Sequence, residues 1–573
     1  MIRRPAAAPV IVVSCISLLL VLGASRERAA TLPDLGRWAD RLPRAPLLLV
    51  VPSVAAASHH LYPLLARIGL ALPDLDPTRQ FVELRVRLGL DPWDPSSLEA
   101  AGLDPTGPLI VVDEGPLIQP VLLLGLLPGG LARFRESVVA RVAAREQLGV
   151  RRDYSAKGVQ GEGLAIAEDA EPRFAYASDG AVLALAPQGC ARDLAPLVAA
   201  LRPRARLVQD RIWQALLDGL PNGDLLLLLD RAAMQISPWR TARRAAEDLE
   251  RVASSLRVDD GRAFLHSVVR PTSEGARRVA RFPVLQGAAA RQVRRVGALS
   301  LWTGCSARFV LPEVLPYAEI LGRTLEGQGI ALKKELAALA DGGAGWHLLD
   351  LEPLLPGLTE QRSVDDVSSA FFVEHALTLP LRREAQSEAL LQRLDRWLAN
   401  RDGQLVAGSA ELPAGERSYA ERGRVVGYGV VDGQLVASTG PGTLGQLRTA
   451  LAAQGTEVEP DTLFALRADA TALRAVLGRV GLLGAGDNTD LRAVWAARQA
   501  AAPLLARLGE IRGDLRRQGE LLRFDAQVEL TGSVAPPSRP PLDPRRLDTT
   551  LDVPALDPSR VPVLPSPRGT RRR

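Results

Sequence analysis

Apolar and polar positions alternate along the chain in short runs, and this pattern predicts many buried strands with fewer amphipathic helices between them. One arrangement occurs twice, over 173–201 and over 425–451: a strand, an Asp-Gly turn, a second strand, a glycine-containing turn and a helix. Asp179 of the first stretch corresponds to Asp432 of the second, and glycine follows both. We therefore expect two tandem copies of one module.

The first copy is predicted to span 31–292. Besides the repeated hairpin, apolar runs bounded by proline, glycine or acidic residues predict strands at 46–52, 108–113, 120–128, 224–230 and 261–271. Apolar residues three and four positions apart predict an amphipathic helix over 131–148, and a second helix is expected over 238–256.

The second copy is predicted to span 293–535. Its matching strands are expected at 297–304, 371–380, 461–469 and 520–532, and its helices at 384–400 and around 490–515. Because short turns join neighbouring strands, the sheets should be mostly antiparallel. The expected fold class is α+β, in which each copy is a sheet with helices packed on one face.

The two ends of the chain differ from its body. In residues 1–30, two arginines near the start precede an apolar run from Val10 to Gly23 and the small residues after it, which is the order of an export signal. That run is shorter than the roughly 20 residues of a spanning helix, and an uncleaved N-terminal membrane anchor is the alternative. Cys15 also ends a stretch that resembles a lipoprotein cleavage box. Residues 536–573 are rich in proline and arginine and predict a disordered tail.

The distribution of charge argues against a nucleic-acid partner. The formal net charge is +5, but residues 1–30 contribute +3 and residues 536–573 contribute +4, which leaves −2 for the body between them. A body without net positive charge is not expected to neutralise phosphates.

Two cysteines follow the N-terminal segment, Cys190 and Cys305. In an oxidising compartment they could pair, which would require Cα atoms within about 7 Å of each other. The favoured alternative is two separate buried or half-buried thiols, because the cysteines do not occupy equivalent positions in the two copies.

The sharpest chemical motif lies between a predicted strand and a predicted helix. Gly440, Gly442 and Gly445 match the dinucleotide-binding pattern G-x-G-x-x-G, in which helix N–H groups hold a pyrophosphate. However, the preceding strand belongs to an Asp-Gly hairpin and not to a parallel βαβ unit. The alternative is a tight strand-to-helix turn with Thr443 as the N-cap, and no cofactor is expected.

No metal site or catalytic residue is predicted. His59 and His60 are adjacent, and neighbouring helical side chains point about 100° apart, which does not suit a shared metal ion. Three further histidines stand alone on predicted strands: His266, His347 and His375. The nucleophile patterns G-x-S-x-G and S-x-x-K are absent from the sequence.

The layout resembles a bacterial exported family that is catalogued only as a domain of unknown function and has two such halves. The resemblance is carried by the N-terminal signal, the stretch LGLDPWDPSSLEAAGLDPTGPLIVV, the strand and helix at 120–148, and the repeated hairpin before a helix. It covers about 44–532 and implies residence in the cell envelope, with no functional residue to carry over.

Three functions are therefore compatible with the sequence. The leading hypothesis is an exported, non-catalytic protein of the periplasm or cell envelope that binds or scaffolds another envelope protein, with possible membrane association through the N-terminus. The first alternative is a carrier or sensor of an apolar, lipid-like ligand in a cleft between the copies. The second is a hydrolase whose catalytic residues are dispersed along the chain.

Overall fold

A computed structural model describes most of the region between the two ends. The described residues are 36–61, 64, 85–91, 94–113, 120–156, 158–187, 189–190, 194–203, 205–236, 245–259, 261–305, 326–327, 329–353, 371–400, 404–407, 416–421, 424–440, 442–479 and 505–531. The predicted export signal at 1–30 and the predicted tail at 536–573 lie outside them.

The described residues form twenty strands, and every pairing between them is antiparallel. In chain order the strands are β1 Leu47–Val51, β2 Leu109–Asp113, β3 Val121–Gly125, β4 Val150–Ala156, β5 Val159–Ala165, β6 Phe174–Ser178, β7 Val182–Ala186, β8 Leu225–Asp230, β9 Leu249–Asp259, β10 Arg262–Pro271, β11 Leu299–Thr303, β12 Ala344–Pro353, β13 Phe371–Pro380, β14 Gln404–Ala407, β15 Glu416–Glu421, β16 Arg424–Val431, β17 Gln434–Thr439, β18 Thr462–Asp469, β19 Leu508–Gln518 and β20 Leu521–Leu530. This composition of one large antiparallel sheet with helices confirms the α+β class.

The strands join into a single sheet without a break. From one edge to the other the order is β4-β5-β6-β7-β3-β2-β1-β8-β9-β10-β20-β19-β18-β11-β12-β13-β17-β16-β15-β14. The last ten strands therefore repeat the order of the first ten. The two sets meet at one place, where β10 pairs with β20.

Helices cover both faces of this sheet, so the expectation of helices on one face is wrong. The helices are α1 Val54–His60, α2 Pro95–Ala100, α3 Gly130–Phe134, α4 Ala140–Arg145, α5 Ala195–Leu201, α6 Arg211–Leu217, α7 Arg231–Ile236, α8 Ser273–Val279, α9 Gly287–Arg291, α10 Leu332–Leu339, α11 Ala385–Ala399, α12 Thr443–Ala452 and α13 Ala470–Arg479. A π-helical turn, Arg135–Val139, joins α3 to α4. Short 3-10 helices occupy Gly36–Arg41 and Leu207–Gln209.

The two faces can be told apart by their cores. On face A, Leu197 of α5 packs in one core with Ala184 of β7. On face B, Phe134 of α3 packs in another core with Tyr176 of β6, their rings 5.6 Å apart and nearly perpendicular. The second ten strands are covered in the same way, by α12 on face A and by α11 on face B. Successive side chains of a strand point to opposite faces, which is why continuous apolar runs suit a sheet covered twice.

Two segments predicted as helices contain strands. Residues 245–248 of the predicted helix over 238–256 are helical, but 249–256 belong to β9, and 508–515 of the one around 490–515 belong to β19. Residues 238–244 and 490–504 lie outside the described residues. Each of these two strands is the first strand of a hairpin that leads into the predicted closing strand, β10 or β20.

In the two repeated hairpins, the position of the turn relative to the Asp-Gly pair differs by one residue. In the second hairpin, Asp432 and Gly433 are the two turn residues between the paired Val431 and Gln434, and both have positive φ. In the first, the last pair is Ser178 with Leu183, and the Asp179 carboxylate accepts hydrogen bonds from the backbone N–H groups at 181 and 182. Strand pairing therefore aligns Asp432 with residue 180 and not with Asp179.

Candidate functional site

A group of buried ionisable side chains lies where β10 pairs with β20, which we call the central seam. Within it, His266 is directly opposite Asp525, 259 positions later in the chain. The β9–β10 and β19–β20 hairpins have the same register, offset by 259 residues. Ser255 pairs with His266 in the first, and Asp514 pairs with Asp525 in the second. Side chains directly opposite one another share a face of the sheet. Ser255, His266, Asp525 and Asp514 therefore form a row across four strands on face A.

Asp525 is the centre of this row. Its Oδ1 lies 2.7 Å from His266 Nδ1, and Arg523 Nε donates to both of its carboxylate oxygens at 3.0 Å. Arg516 also donates to Asp525, and its guanidinium lies 3.6 Å from Glu459. Asp525 thus accepts hydrogen bonds from two arginines of its own half of the chain and from His266 of the first half.

The electrostatics follow from burial and from these partners. Burial alone would raise the pKa of Asp525, but the hydrogen bond from His266 and the charges of Arg523, His266 and Arg516 outweigh it and lower the pKa from 3.8 to about 2. The His266 and Asp525 side chains are only 5% and 14% exposed. Asp525 is therefore a permanently ionised group at neutral pH and a poor general base.

Ser255, His266 and Asp525 have the residue types of a hydrolase triad, but not its geometry. The Asp525–His266 bond matches the contact that orients the base of such a triad. The Ser255 hydroxyl is buried and has no hydrogen-bond partner, so it has no contact with the imidazole that would activate it. Ser255 as a whole is 2% exposed, and a substrate cannot reach it in this conformation.

We expect the intact protein to remain unlabelled by a fluorophosphonate probe, which reacts with activated serines. The expectation follows from the isolated, buried hydroxyl of Ser255. Labelling is to be measured by intact mass, with a Ser255→Ala variant as the control. Labelling that this substitution abolishes would contradict the expectation and identify Ser255 as a nucleophile.

A second cluster lies on face B of the first ten strands, between the sheet and the α3–α4 helix. The Tyr176 hydroxyl donates to Glu162 Oε2 at 2.8 Å and accepts from Arg135 Nε at 2.6 Å. Glu162 and Tyr176 are directly opposite on β5 and β6. Burial raises the pKa of Tyr176 well above its ordinary value of 10, so its hydroxyl remains protonated.

The matching place on the second ten strands holds a similar cluster, in which the acid and the base are exchanged between helix and strand and the arginine binds the acid. The Tyr428 hydroxyl donates to Asp395 Oδ1 at 2.6 Å, and Arg417 Nε donates to Asp395 Oδ2 at 2.9 Å. Arg417 and Tyr428 are directly opposite on β15 and β16, and Asp395 lies on α11. In the first cluster the helix supplies the base and the strand the acid; here the helix supplies the acid and the strand the base.

His347 forms a third buried group. Its Nδ1 lies 2.9 Å from Ser300 Oγ and its Nε2 lies 2.9 Å from Thr378 Oγ1, so hydroxyls on β11 and β13 hold both ring nitrogens. Burial, together with the charge of Arg294, lowers the pKa of His347 to about 3. A neutral imidazole held between two buried hydroxyls is a structural cross-link between three strands. His266 and His347, which the sequence places alone on their strands, both have partners from distant segments.

The glycine motif lies at the strand-to-helix turn as expected. The strand before it, β17, is antiparallel to both of its neighbours, so the parallel unit of a dinucleotide site is missing. A Cβ on Gly440 would lie 2.9 Å from a carboxylate oxygen of Glu374, and this acid disfavours a pyrophosphate. The N-cap of α12 is Gly442 and not Thr443, whose hydroxyl donates toward Ser438 and the carbonyl of Gly440. Gly445, the third glycine of the motif, lies within α12.

The two cysteines do not form a disulfide. Cys190 packs against the face A core of the first ten strands, whereas Cys305 packs in the core under α11. Burial raises the pKa of the Cys305 thiol to about 11, which makes it unreactive. The two cysteines therefore lie in different parts of the fold.

Within the described ranges, no group of three or more His, Cys, Asp or Glu side chains is placed to share a metal ion. His60, one of the two adjacent histidines, lies 3.0 Å from Asp224 instead. None of the helices in the described part of the chain has both the length and the hydropathy needed to cross a bilayer.

Comparison with known proteins assigns no family. No protein-family model matches the chain, and a search of curated proteins finds no match. Among solved structures, crystal form I of TP0453 is similar at a TM-score of 0.22 and 8% identity, over 41% of this chain and 78% of that one. Crystal form III of TP0453 gives a TM-score of 0.23 and 8% identity, over 44% of this chain and 87% of that one. Similarity at this level attributes neither a family nor a function to the chain.

Proposed function

We propose that this chain is an exported protein of the cell envelope that binds or scaffolds other molecules and catalyses no reaction. The observation that carries the proposal is the unbroken antiparallel sheet. With neighbouring strands about 4.8 Å apart, twenty strands extend over roughly 90 Å measured along the sheet. Hydrogen bonds link its strands from β4 to β14, and helices cover both faces, so the sheet is a long support for surfaces carried at distant positions.

The buried charges support a structural role over a catalytic one. Asp525, Glu162 and Asp395 each make their contacts with arginines, tyrosines or a histidine of the same chain. Contacts of this kind stabilise the packing of strands and helices. A catalytic site would instead present at least one activated group to a substrate.

We also infer that the first and last ten strands are tandem copies of one module. Three observations support this: the shared strand order, the common register of the β9–β10 and β19–β20 hairpins, and the two tyrosine clusters. An independent origin would require the same order of ten strands to arise twice. Duplication followed by exchange of the acid and the base explains the clusters with fewer events.

Export is supported by the residue order of the N-terminal segment and is tested by cell fractionation. We expect osmotic shock to release the protein if the segment is cleaved, and detergent to be needed if it is a retained anchor. A Leu19→Asp variant, which interrupts the apolar run, should remain in the cytoplasm, with a Thr31→Asp variant outside the run as the control. Cytoplasmic location of the wild-type protein would contradict export.

Scaffolding is tested in the same cells by cross-linking. The exported protein should cross-link to at least one envelope protein that the cytoplasmic Leu19→Asp variant does not capture. If the wild-type protein and the variant give the same products, the scaffolding proposal fails even where export is observed.

A further inference from the structure

The central seam carries complementary charges on its two strands. Besides the His266–Asp525 contact, Arg262 of β10 lies 3.7 Å from Glu529 of β20, directly opposite it. Arg523 of β20 also donates to the carbonyl of Gly219 at 3.1 Å, and Gly219 lies among the first ten strands. Basic groups of β10 thus meet acidic groups of β20 at two positions in the register.

A seam between two identical strands would lose this complementarity. If β10 paired with a second β10 about the same central position, His266 would face another His266, and Arg262 would face Arg270. If β20 paired with a second β20, Asp525 would face another Asp525. Like charges directly opposite one another on paired strands are destabilising. The backbone hydrogen bonds would be similar in all three seams, so the side-chain charges decide between them.

We propose that β10 and β20 are a selective pair of sheet edges: the first half of the chain recognises the second half and rejects a second copy of itself. The partner that each edge fits is therefore the complementary half, from the same chain or from another copy of it. An open ten-residue edge strand is a template for association with other chains. Before β20 pairs with it, β10 is such an edge, and its basic residues disfavour pairing with another β10. This inference does not depend on the envelope role.

The test uses the whole folded chain with a protease site inserted between Ala280 and Arg281, both exposed residues in the turn after α8. After cleavage the two pieces should remain together as one folded particle. Differently tagged copies are then unfolded, mixed and refolded together. We expect unlike pieces to exceed like pairs by at least about 10-fold, a difference of about 1.4 kcal/mol. Like pairs at equal yield would overturn the proposal.

Two matched substitutions separate recognition from general stability. Asp525 and Asp514 both bind arginines within the second half, but only Asp525 also contacts the first half. We expect Asp525→Asn to raise the Kd between the cleaved pieces by about 100-fold, and Asp514→Asn by less than about 5-fold. His266→Gln, which keeps a hydrogen-bonding side chain without the charge, should give an intermediate rise. Equal weakening by Asp525→Asn and Asp514→Asn would also overturn the proposal.

Discussion

Replacing Asp525 with alanine is expected to lower the free energy of unfolding by about 3–5 kcal/mol, the cost of leaving buried charges without their partner. His266, Arg523 and Arg516 all contact this carboxylate. Their side chains are 5%, 15% and 21% exposed, so water replaces the lost contacts only in part. The measurement is equilibrium unfolding in denaturant.

The control is a second carboxylate of the same seam. Glu529 also lies opposite a basic residue of β10, but it is 41% exposed and its Arg262 partner 53% exposed. A pair in that setting contributes at most about 1 kcal/mol. If Glu529→Ala costs as much as Asp525→Ala, the seam is stabilised by its strands in general and not by the buried ion pair.

The pH dependence of the stability difference between wild type and Asp525→Ala checks the same prediction. A carboxyl group whose pKa is lowered on folding stabilises the protein fully above its ordinary pKa of 3.8, and the stabilisation is lost as the pH falls toward 2. That shift corresponds to about 2 kcal/mol. The gap between wild type and Asp525→Ala should therefore narrow as the pH falls below about 4. A gap that widens in acid would contradict the assignment.

The local pattern predicts the apolar strands well because burial on both faces leaves a continuous apolar run. The predicted strand at 371–380 has the bounds of β13, and 461–469 differs from β18 by one residue. These runs end at proline or acidic residues, where pairing also ends. The repeated hairpin is found for the same reason, although its turns are displaced by one residue.

β9 and β19, the strands on either side of the seam, cannot be recognised in this way because their charges are buried. Arg251 of β9 pairs with Asp210 at 2.8 Å, and its guanidinium lies 5.2 Å from the Trp213 ring centre. In β19, Arg516 and Asp514 bind partners on β20 and β18. Read locally, such charges indicate the solvent-facing side of a helix, and helices are what the pattern predicts for both segments. The partners that bury the charges are distant in sequence.

The candidate site was missed for the same physical reason. His266 and Asp525 lie in the two predicted closing strands, and that shared position is the one local signal that relates them. Contact between them requires the antiparallel pairing of the two closing strands. No short motif encodes such a pairing, since its partners are 259 positions apart. The tyrosine clusters are equally non-local, and their charge exchange prevents recognition by residue identity.

The exchange of acid and base between the two tyrosine clusters leads to the second large effect, a loss of stability that we expect from Asp395→Arg. The substitution places a second positive charge beside Arg417, whose side chain is 10% exposed, and removes the acceptor of the Tyr428 hydroxyl. We expect a loss of about 3–5 kcal/mol in the free energy of unfolding, and a similar loss for Arg417→Glu. Both are to be measured by denaturant unfolding.

The double variant Asp395→Arg/Arg417→Glu recreates the first cluster, in which Arg135 on the helix and Glu162 on the strand bind Tyr176. It should recover more than half of the summed losses, because Tyr428 would then have one donor and one acceptor beside it, as Tyr176 has. Glu388 limits the recovery, since it now binds Arg417 and would face a glutamate. Exchanging the charges of the exposed pair Arg270 and Glu250 is the control, with each single substitution expected to cost less than about 1 kcal/mol. If the double variant is as unstable as the two losses added together, the clusters are not interchangeable and their likeness is no support for duplication.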